Sequence, residues 1–320
     1  MNAQDSHFYG GQAVMEGVMM RGKQIYAMAV RKPSGDIAVV EHTITKPTSP
    51  TSTVARKIPI LRGIIAFGSA MKIGVLSLTE SAEIATDGEL EEGNFEKFLK
   101  RKLGDRANDI LMQISILLAV AMAVLIFILL PLWIGGFLFS LTNANPALLG
   151  IIEGLLRLVI FVGYILLISR SKDIARVFEY HGAEHKTINA YESQLDLTVE
   201  NIRKCSRLHK RCGTSFLLIV MFISIVVFTF VSTPDPLVRL LTRLVLIPVI
   251  AGFSYEIIRL AGKSKSSFVK IISFPGMRLQ QLTTREPDDG QIEVAVSALK
   301  AVLERETNER DSEKPLVIAP

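Results

Sequence analysis

Hydrophobic positions along the chain do not keep a single period. From Ile110 to Phe139 the sequence ILMQISILLAVAMAVLIFILLPLWIGGFLF is apolar almost without interruption. Runs of the same kind cover Leu149–Ser169, Phe216–Ser232 and Leu237–Ile258. A helix of about 20 mainly apolar residues crosses a bilayer. A soluble four-helix bundle would carry charges on the outer face of every helix. These runs nearly lack them, so they predict four transmembrane helices, joined by the links LTNANPA and TPDP into two hairpins. The first run exceeds one crossing and predicts a tilt, or a bend at Pro131, whose ring removes a helical hydrogen bond.

Outside these runs the pattern changes. IYAMAVRKPSGDIAVVEHTI alternates and turns at KPSGD, which predicts a β-hairpin with strands near Ile25–Arg31 and Ile37–Thr45. Before it, GGQAVMEGVMMRG is rich in Gly and Met, a composition that predicts turns or close backbone approach. SPTSTV reads as a linker, and TDGELEEGNFEKFLKRKLGDRAND as a polar lead into the first crossing. Ile58–Glu83 is apolar but interrupted by Arg62 and Lys72, and central charges are costly in hydrocarbon. It predicts a helix lying in the membrane interface or packed on the bundle. GKSKSSFVKIISFPGMRLQQLTTREPDDG reads as a headgroup-facing loop. Ile292, Ala295, Val296, Leu299, Val302 and Leu303 then share one face of an amphipathic helix with Asp288 or Asp289 as cap. The tail after Glu306 is expected to be disordered.

The predicted fold class is therefore mainly α and integral membrane, with four transmembrane helices in two hairpins, a small cytoplasmic β-hairpin and amphipathic helices. The predicted segments are 1–57 (Gly/Met-rich stretch and hairpin), 58–109 (interfacial helix and polar linker), 110–169 (first transmembrane hairpin), 170–214 (loop with His and Cys), 215–258 (second transmembrane hairpin) and 259–320 (tail with amphipathic helix).

Composition agrees: 49% of the 320 residues are hydrophobic, and they concentrate in the middle third. Charge adds orientation. Residues 1–109, 170–214 and 259–320 hold 33 of the 36 Lys and Arg residues. Four crossings put all three on one side, and the bias of Lys and Arg makes that side cytoplasmic. The expected location is a bacterial cell membrane, with several passes and both termini cytoplasmic. The same segments also carry 13, 6 and 9 acidic residues, leaving net charges of only +1, +3 and +1. That excess suits anionic lipid headgroups and excludes the strong basic surface of a nucleic-acid binder. The opening MNAQDSHFYGGQ has neither a basic n-region nor an apolar core, so no signal peptide is expected. Cys205 and Cys212 cannot build a disulfide framework and read as reduced thiols.

Candidate chemistry sits in the 170–214 loop. In FEYHGAEHKTINAYE, His181, Glu184 and His185 fall on one face of a helix. Two imidazoles four residues apart reach one Zn²⁺, and a nearby carboxylate serves as ligand or base. The order H-x-x-E-H is that of the inverzincins, in which a downstream acid completes the metal sphere. Glu256 is the candidate acid. A second group, CSRLHKRCGTS, would put Cys205, His209 and Cys212 on one helical face, another zinc-like ligand set. The competing reading is an ordinary polar helix at a membrane surface, with Gly182 weakening it. Glu153 and Arg157, four apart in the second crossing, predict a buried pair, while Arg239 and Arg243 are expected near the outer interface.

The stretches GGQAVMEGVMMRG, YAMAVRKPSGDI, EYHGAEHKTINAYE, HKRCGTSFL and FPGMRLQQLTTREP, in this order from about Gly10 to Leu303, resemble the YqhQ-like family of bacterial membrane proteins. That family is a domain of unknown function common in Gram-positive bacteria, and its members are described as predicted metal-dependent enzymes. The resemblance singles out Glu16, Arg21, His181, Glu184, His185, His209 and Cys212. It departs at Lys23, where the family pattern has Pro. The combined expectation is a metal-dependent enzyme of hydrolase type at the cytoplasmic membrane face. His181 and His185 would bind a divalent metal such as zinc, with Glu184 as base and His209, Cys212 or Glu256 completing the sphere. Its substrate would be a membrane-proximal peptide or a lipid headgroup. The alternative is a non-enzymatic scaffold or assembly factor for other membrane proteins, with any metal structural.

Overall fold

A computed structural model of the chain describes residues 9–44, 55, 57–88, 101–102, 106–142, 146–210, 212–231, 235–263 and 267–312. The predicted SPTSTV linker, most of the polar lead before the first crossing and the middle of both hairpin links lie outside the described residues. The chain divides into two compact units, Met1–Gly88, Leu167–Leu218 and Ala251–Pro320 in the first, Glu89–Leu166 and Ile219–Ile250 in the second.

The first unit is built on an antiparallel meander, β1 (Gly10–Val14), β2 (Gly17–Arg21), β3 (Ile25–Arg31) and β4 (Ile37–Thr43), in that spatial order. The predicted hairpin is β3–β4. The Gly/Met-rich stretch, expected to be turns, supplies two further strands, paired from Gly10 opposite Arg21 to Val14 opposite Gly17. Their tight connection at Met15–Glu16 puts Glu16 at φ 46°, in the left-handed region. These strands lack a polar alternation because the sheet is covered on both faces. On one face, Ala13, Val18, Met20, Ile25, Ala27 and Ala29 share a core with helices α5 (Lys172–Glu192), α6 (Val199–Arg203) and α10 (Asp289–Ser312). On the other, Val14, Met19, Tyr26, Met28 and Val30 pack against Ile73, Ile84 and Ala85 of α1 (Leu61–Ala85).

Helix α1 is long and apolar enough to count as a fifth candidate span, so four is not the full number by length and composition. Its contacts are those of a packed helix. Ser81 accepts a hydrogen bond from the Met15 amide at 3.1 Å, and Glu80 pairs with His42 at 2.8 Å. Gly63 lies against Gly252 with no room for a β-carbon.

Helix α10 forms where its apolar face predicted. Asp288 caps it reciprocally: its carboxylate accepts from the Gln291 amide at 2.8 Å, and the Gln291 side chain accepts from the Asp288 amide at 2.9 Å. The helix runs on to Ser312, past the expected end at Glu306; residues 313–320 lie outside the described residues. The stretch read as a headgroup-facing loop instead contains a helix, α9 (Ser267–Thr283).

The second unit holds apolar helices: α2 (Arg106–Val124), a π-helical turn at Leu125–Leu129, α3 (Leu130–Thr142), most of α4 (Pro146–Ile168), and parts of α7 (Gly213–Phe230) and α8 (Pro236–Lys263). Pro131 cannot donate to the carbonyl four residues back, Phe127 O. Arg157 fills that vacancy, its Nε donating to Phe127 O at 2.8 Å. Arg157 is thus not the partner of Glu153. The buried Glu153 carboxylate instead pairs with Arg243, and Arg239 lies 3.6 Å away. Both arginines are buried, 3% exposed. Phe228 carries the Arg157 and Arg243 guanidiniums 5.2 Å from its ring centre.

Candidate metal centre

Helix α5 positions the histidines, and it is not a solvated polar helix. Nearly every residue from Tyr180 to Ala190 is buried, polar ones included. β1, β2 and α10 pack on it, and the chain just beyond α9 crosses it. That crossing explains Gly182. A β-carbon there would lie 2.0 Å from the Arg285 carbonyl oxygen, while the Arg285 amide donates to Phe178 O at 2.8 Å. Gly182 costs helix propensity but lets the 283–287 backbone run against the histidine face.

That backbone then orients His181. Its Nδ1 donates to Thr283 O at 2.8 Å, and its Nε2 lies 3.2 Å from Cys212 Sγ. His185 repeats the arrangement. Its Nδ1 donates to Arg207 O at 2.6 Å, and its ring centre lies 4.4 Å from that of His181. One ligand atom from each of His181, His185 and Cys212 lies within 4.8 Å of the others. Cys212 precedes α7, and the Thr214 amide donates to its sulfur at 3.4 Å. Imidazoles that give Nδ1–H to carbonyls and turn Nε2 to a common point are arranged as metal ligands are. Burial pushes the His185 and His209 imidazoles below their ordinary range, which favours the neutral, lone-pair-bearing rings.

Glu184 is buried on the same helix. Its carboxyl accepts from the Gly11 amide of β1, which comes so close that a β-carbon at Gly11 would meet Glu184 Cγ at 2.9 Å. Burial raises its pKa, opposed by the charges of His181 and His209. His209 stands just outside the three-ligand group, its ring centre 5.8 Å from that of His185 and its Nε2 3.5 Å from Glu192. The buried Gln280 clamps its backbone at both ends, accepting from the His209 amide at 2.9 Å and donating to its carbonyl at 2.8 Å.

The other expected site residues lie apart. Glu256, the expected completing acid, is engaged by Arg62 through two hydrogen bonds, and Cys212 takes the third place beside the histidines. Residues 204–210 form turns and loop, so Cys205, His209 and Cys212 share no helical face; Cys205 instead donates to Asn201 O at 3.5 Å. Glu16 ties β2 to α5 through Arg176 and Tyr180. Arg21 lines a cavity of about 650 Å³ that also reaches Cys212. Gln280, Thr283 and the Arg207 carbonyl were not singled out from sequence. Gln280 and Thr283 nonetheless stand inside FPGMRLQQLTTREP, one of the stretches that carry the family resemblance.

The helices of spanning length mark the chain as a membrane protein, and its first unit holds a His/His/Cys group whose ligand atoms lie close enough to hold a metal ion. The chain belongs to the family described as "Protein of unknown function (DUF1385)", whose model matches residues 58–305. It is similar to the uncharacterized protein YqhQ of Bacillus subtilis (strain 168), 38% identical over 312 residues that make up 96% of either chain. No solved structure matches it.

Proposed function

We propose that this chain is a metal-dependent membrane enzyme of hydrolase type, with His181, His185 and Cys212 as ligands. One observation carries the reading: both histidines give Nδ1–H to backbone carbonyls, His181 turns Nε2 to the Cys212 sulfur, and the three side chains bring ligand atoms within 4.8 Å of one another. Two imidazoles and a thiolate are a zinc-like donor set, and three protein ligands leave the open position of a catalytic site. A metal held there would polarise a carbonyl or phosphoryl oxygen. Glu184, held above its ordinary pKa by burial, would be the group that handles the proton. His209, hydrogen-bonded toward Glu192, can pass that proton outward.

The four runs first recognised would cross the membrane. α1 would lie against the sheet near its surface, because its second half is engaged in polar contacts. The distribution of Lys and Arg supports a cytoplasmic site and cytoplasmic termini.

Elemental mass spectrometry of detergent-purified protein tests the proposal. About one zinc-like ion per chain is expected, lost in His181→Ala/His185→Ala and kept in Glu184→Gln. A chain without metal under chelator-free conditions sinks the reading. The 3.2 Å Cys212–His181 contact would then favour a nucleophilic thiol–imidazole pair, testable by alkylation of Cys212 in wild type against His181→Ala.

A further inference from the structure

Arginine stays protonated inside proteins, so a buried guanidinium needs acceptors for its N–H groups and an opposite charge. The second unit gathers three of them. Arg239 and Arg243 of α8 meet the carboxylate of Glu153, and Arg157 shares the Phe228 ring with Arg243. All four charged side chains are buried. In the apolar runs of this unit and the two links, the sequence holds no other acidic residue except Asp235. Asp235 is exposed and turned to the start of α8, where it accepts from the Leu237 and Val238 amides. Three guanidiniums against one carboxylate leave two positive charges in excess.

Their hydrogen bonds are as unbalanced as their charges. Arg157 is provided for, with Nε on Phe127 O and Nη1 on Ser224 Oγ at 3.4 Å. Arg243 gives Nη2 to Glu153. Arg243 Nη1, Arg239 Nε and Arg239 Nη1 are buried with no hydrogen-bond acceptor. Glu153 Oε1, 3.6 Å from Arg239 Nη1, is too distant to serve. Two neighbouring glycines of α3 line the group differently. The Glu153 side chain fills the place of a side chain at Gly135, whereas a β-carbon at Gly136 would have only Arg239 Nη2 within 4 Å outside its own helix, at 3.8 Å. Gly136 thus leaves room in front of Arg239.

Unmet guanidinium donors, an excess of positive charge and an open place beside them together specify an anion. Depth limits its size. Arg243 and Glu153 each stand seven residues beyond the first residue of their helices, Pro236 and Pro146, or about 10 Å along the axis. Lipid headgroups gather at the ends of spanning helices, so a ligand at this depth carries no lipid tail.

We propose that the second unit binds a small inorganic anion, with chloride as the probe, held by Arg239 and Arg243 beside Gly136. The site does not depend on the metal-enzyme reading above.

Thermal unfolding of the full chain in detergent, after chelation of any metal, tests the proposal, with chloride exchanged for gluconate at constant ionic strength. Chloride should raise the unfolding temperature, with the logarithm of its concentration once that exceeds the dissociation constant. Arg239→Gln should weaken chloride binding about tenfold or more, as expected for a lost charge-assisted hydrogen bond. In gluconate the same variant should unfold no lower than wild type, because it removes a buried charge that lacks its counter-ion. Arg203→Gln/Lys204→Gln, exposed in the first unit, should leave the chloride response unchanged. If Arg239→Gln fails to fold, Gly136→Ala replaces it: the β-carbon fits at 3.8 Å and should weaken chloride binding by filling the open place. Wild-type protein indifferent to chloride, nitrate and sulfate alike, or an unchanged response in the variant, overturns the proposal. Stabilisation by phosphatidylglycerol in mixed micelles but by none of these anions would overturn it in favour of a lipid headgroup.

Discussion

Gly182→Ala sets two effects of opposite sign against each other. In a helix interior, Ala is favoured over Gly by about 1 kcal/mol. The new β-carbon would lie 2.0 Å from the Arg285 carbonyl oxygen, where about 3.4 Å is ordinary contact, so something must move by more than 1 Å. The obstacle is backbone, fixed by the Arg285 amide on Phe178 O and by Arg207 on Thr284 O. Overpacking of this kind costs about 1–3 kcal/mol, so the steric effect should equal or exceed the propensity gain. The displacement also draws Thr283 O away from His181 Nδ1, freeing the ring to rotate. The variant should unfold at or below the wild-type temperature in detergent and retain less metal at equal total zinc. Gly163→Ala, with nothing within 4 Å of its β-carbon, gives the propensity effect alone. A Gly182→Ala protein stabilised as much as Gly163→Ala, with full metal occupancy, would refute the packing argument.

Metal-free protein has opposed pH responses. His185 and His209, held below the ordinary imidazole value of about 6.5, cost stability as pH falls through that value, because the unfolded chain takes up protons the folded one refuses. Glu184 is held high, so its contribution is present below about 4.3 and lost as pH rises through its folded value. Glu184→Gln removes this second effect and also the carboxylate's pull on His209, leaving that ring lower still. Thermal unfolding after chelation should place the variant above wild type at pH 8, with a steeper rise between pH 5.5 and 7.5; parallel curves would count against the burial of this carboxylate. Glu153→Gln leaves two buried guanidiniums without their carboxylate and should cost about 3–5 kcal/mol in detergent unfolding, whereas Glu153→Met with Arg239→Leu and Arg243→Leu should cost far less. Leu299→Ala, in the core shared by α10 and the sheet, should cost about 2–5 kcal/mol in the same assay. Gln280→Leu releases the His209 backbone and the Ser215 hydroxyl on either side of Cys212, and a metal titration should show weaker binding while His181 and His185 remain.

The long apolar runs were legible because hydrocarbon demands them and little else in a sequence resembles them. Strands β3 and β4 were legible through KPSGD, where a turn interrupts alternation. β1 and β2 were not, because Val18, Met19 and Met20 are buried on both faces and leave no period to read. The histidine pair and Glu184 followed from helical spacing. Cys212 was a candidate only as one of several, since loop geometry rather than any period carries it to His181. Glu256 showed the opposite failure: its place at the end of an apolar run suggested a ligand, but Arg62, 194 residues away in sequence, claims it.

Thr283 and Arg207 hold the two histidines through main-chain oxygens, which any amino acid at those positions would present. A saturation library should therefore separate two kinds of position around one centre. At residue 283, which is buried, side chains of similar size such as Val, Ser and Ala should be interchangeable, since its hydroxyl makes only a 3.5 Å bond to Leu279 O. At residue 182, which carries no side chain, almost none should be tolerated. Divergent members of a lineage could thus change the residues that orient the ligands while keeping the ligands' orientation. Ranking positions by sequence variability would overlook the peptide groups on which that orientation depends.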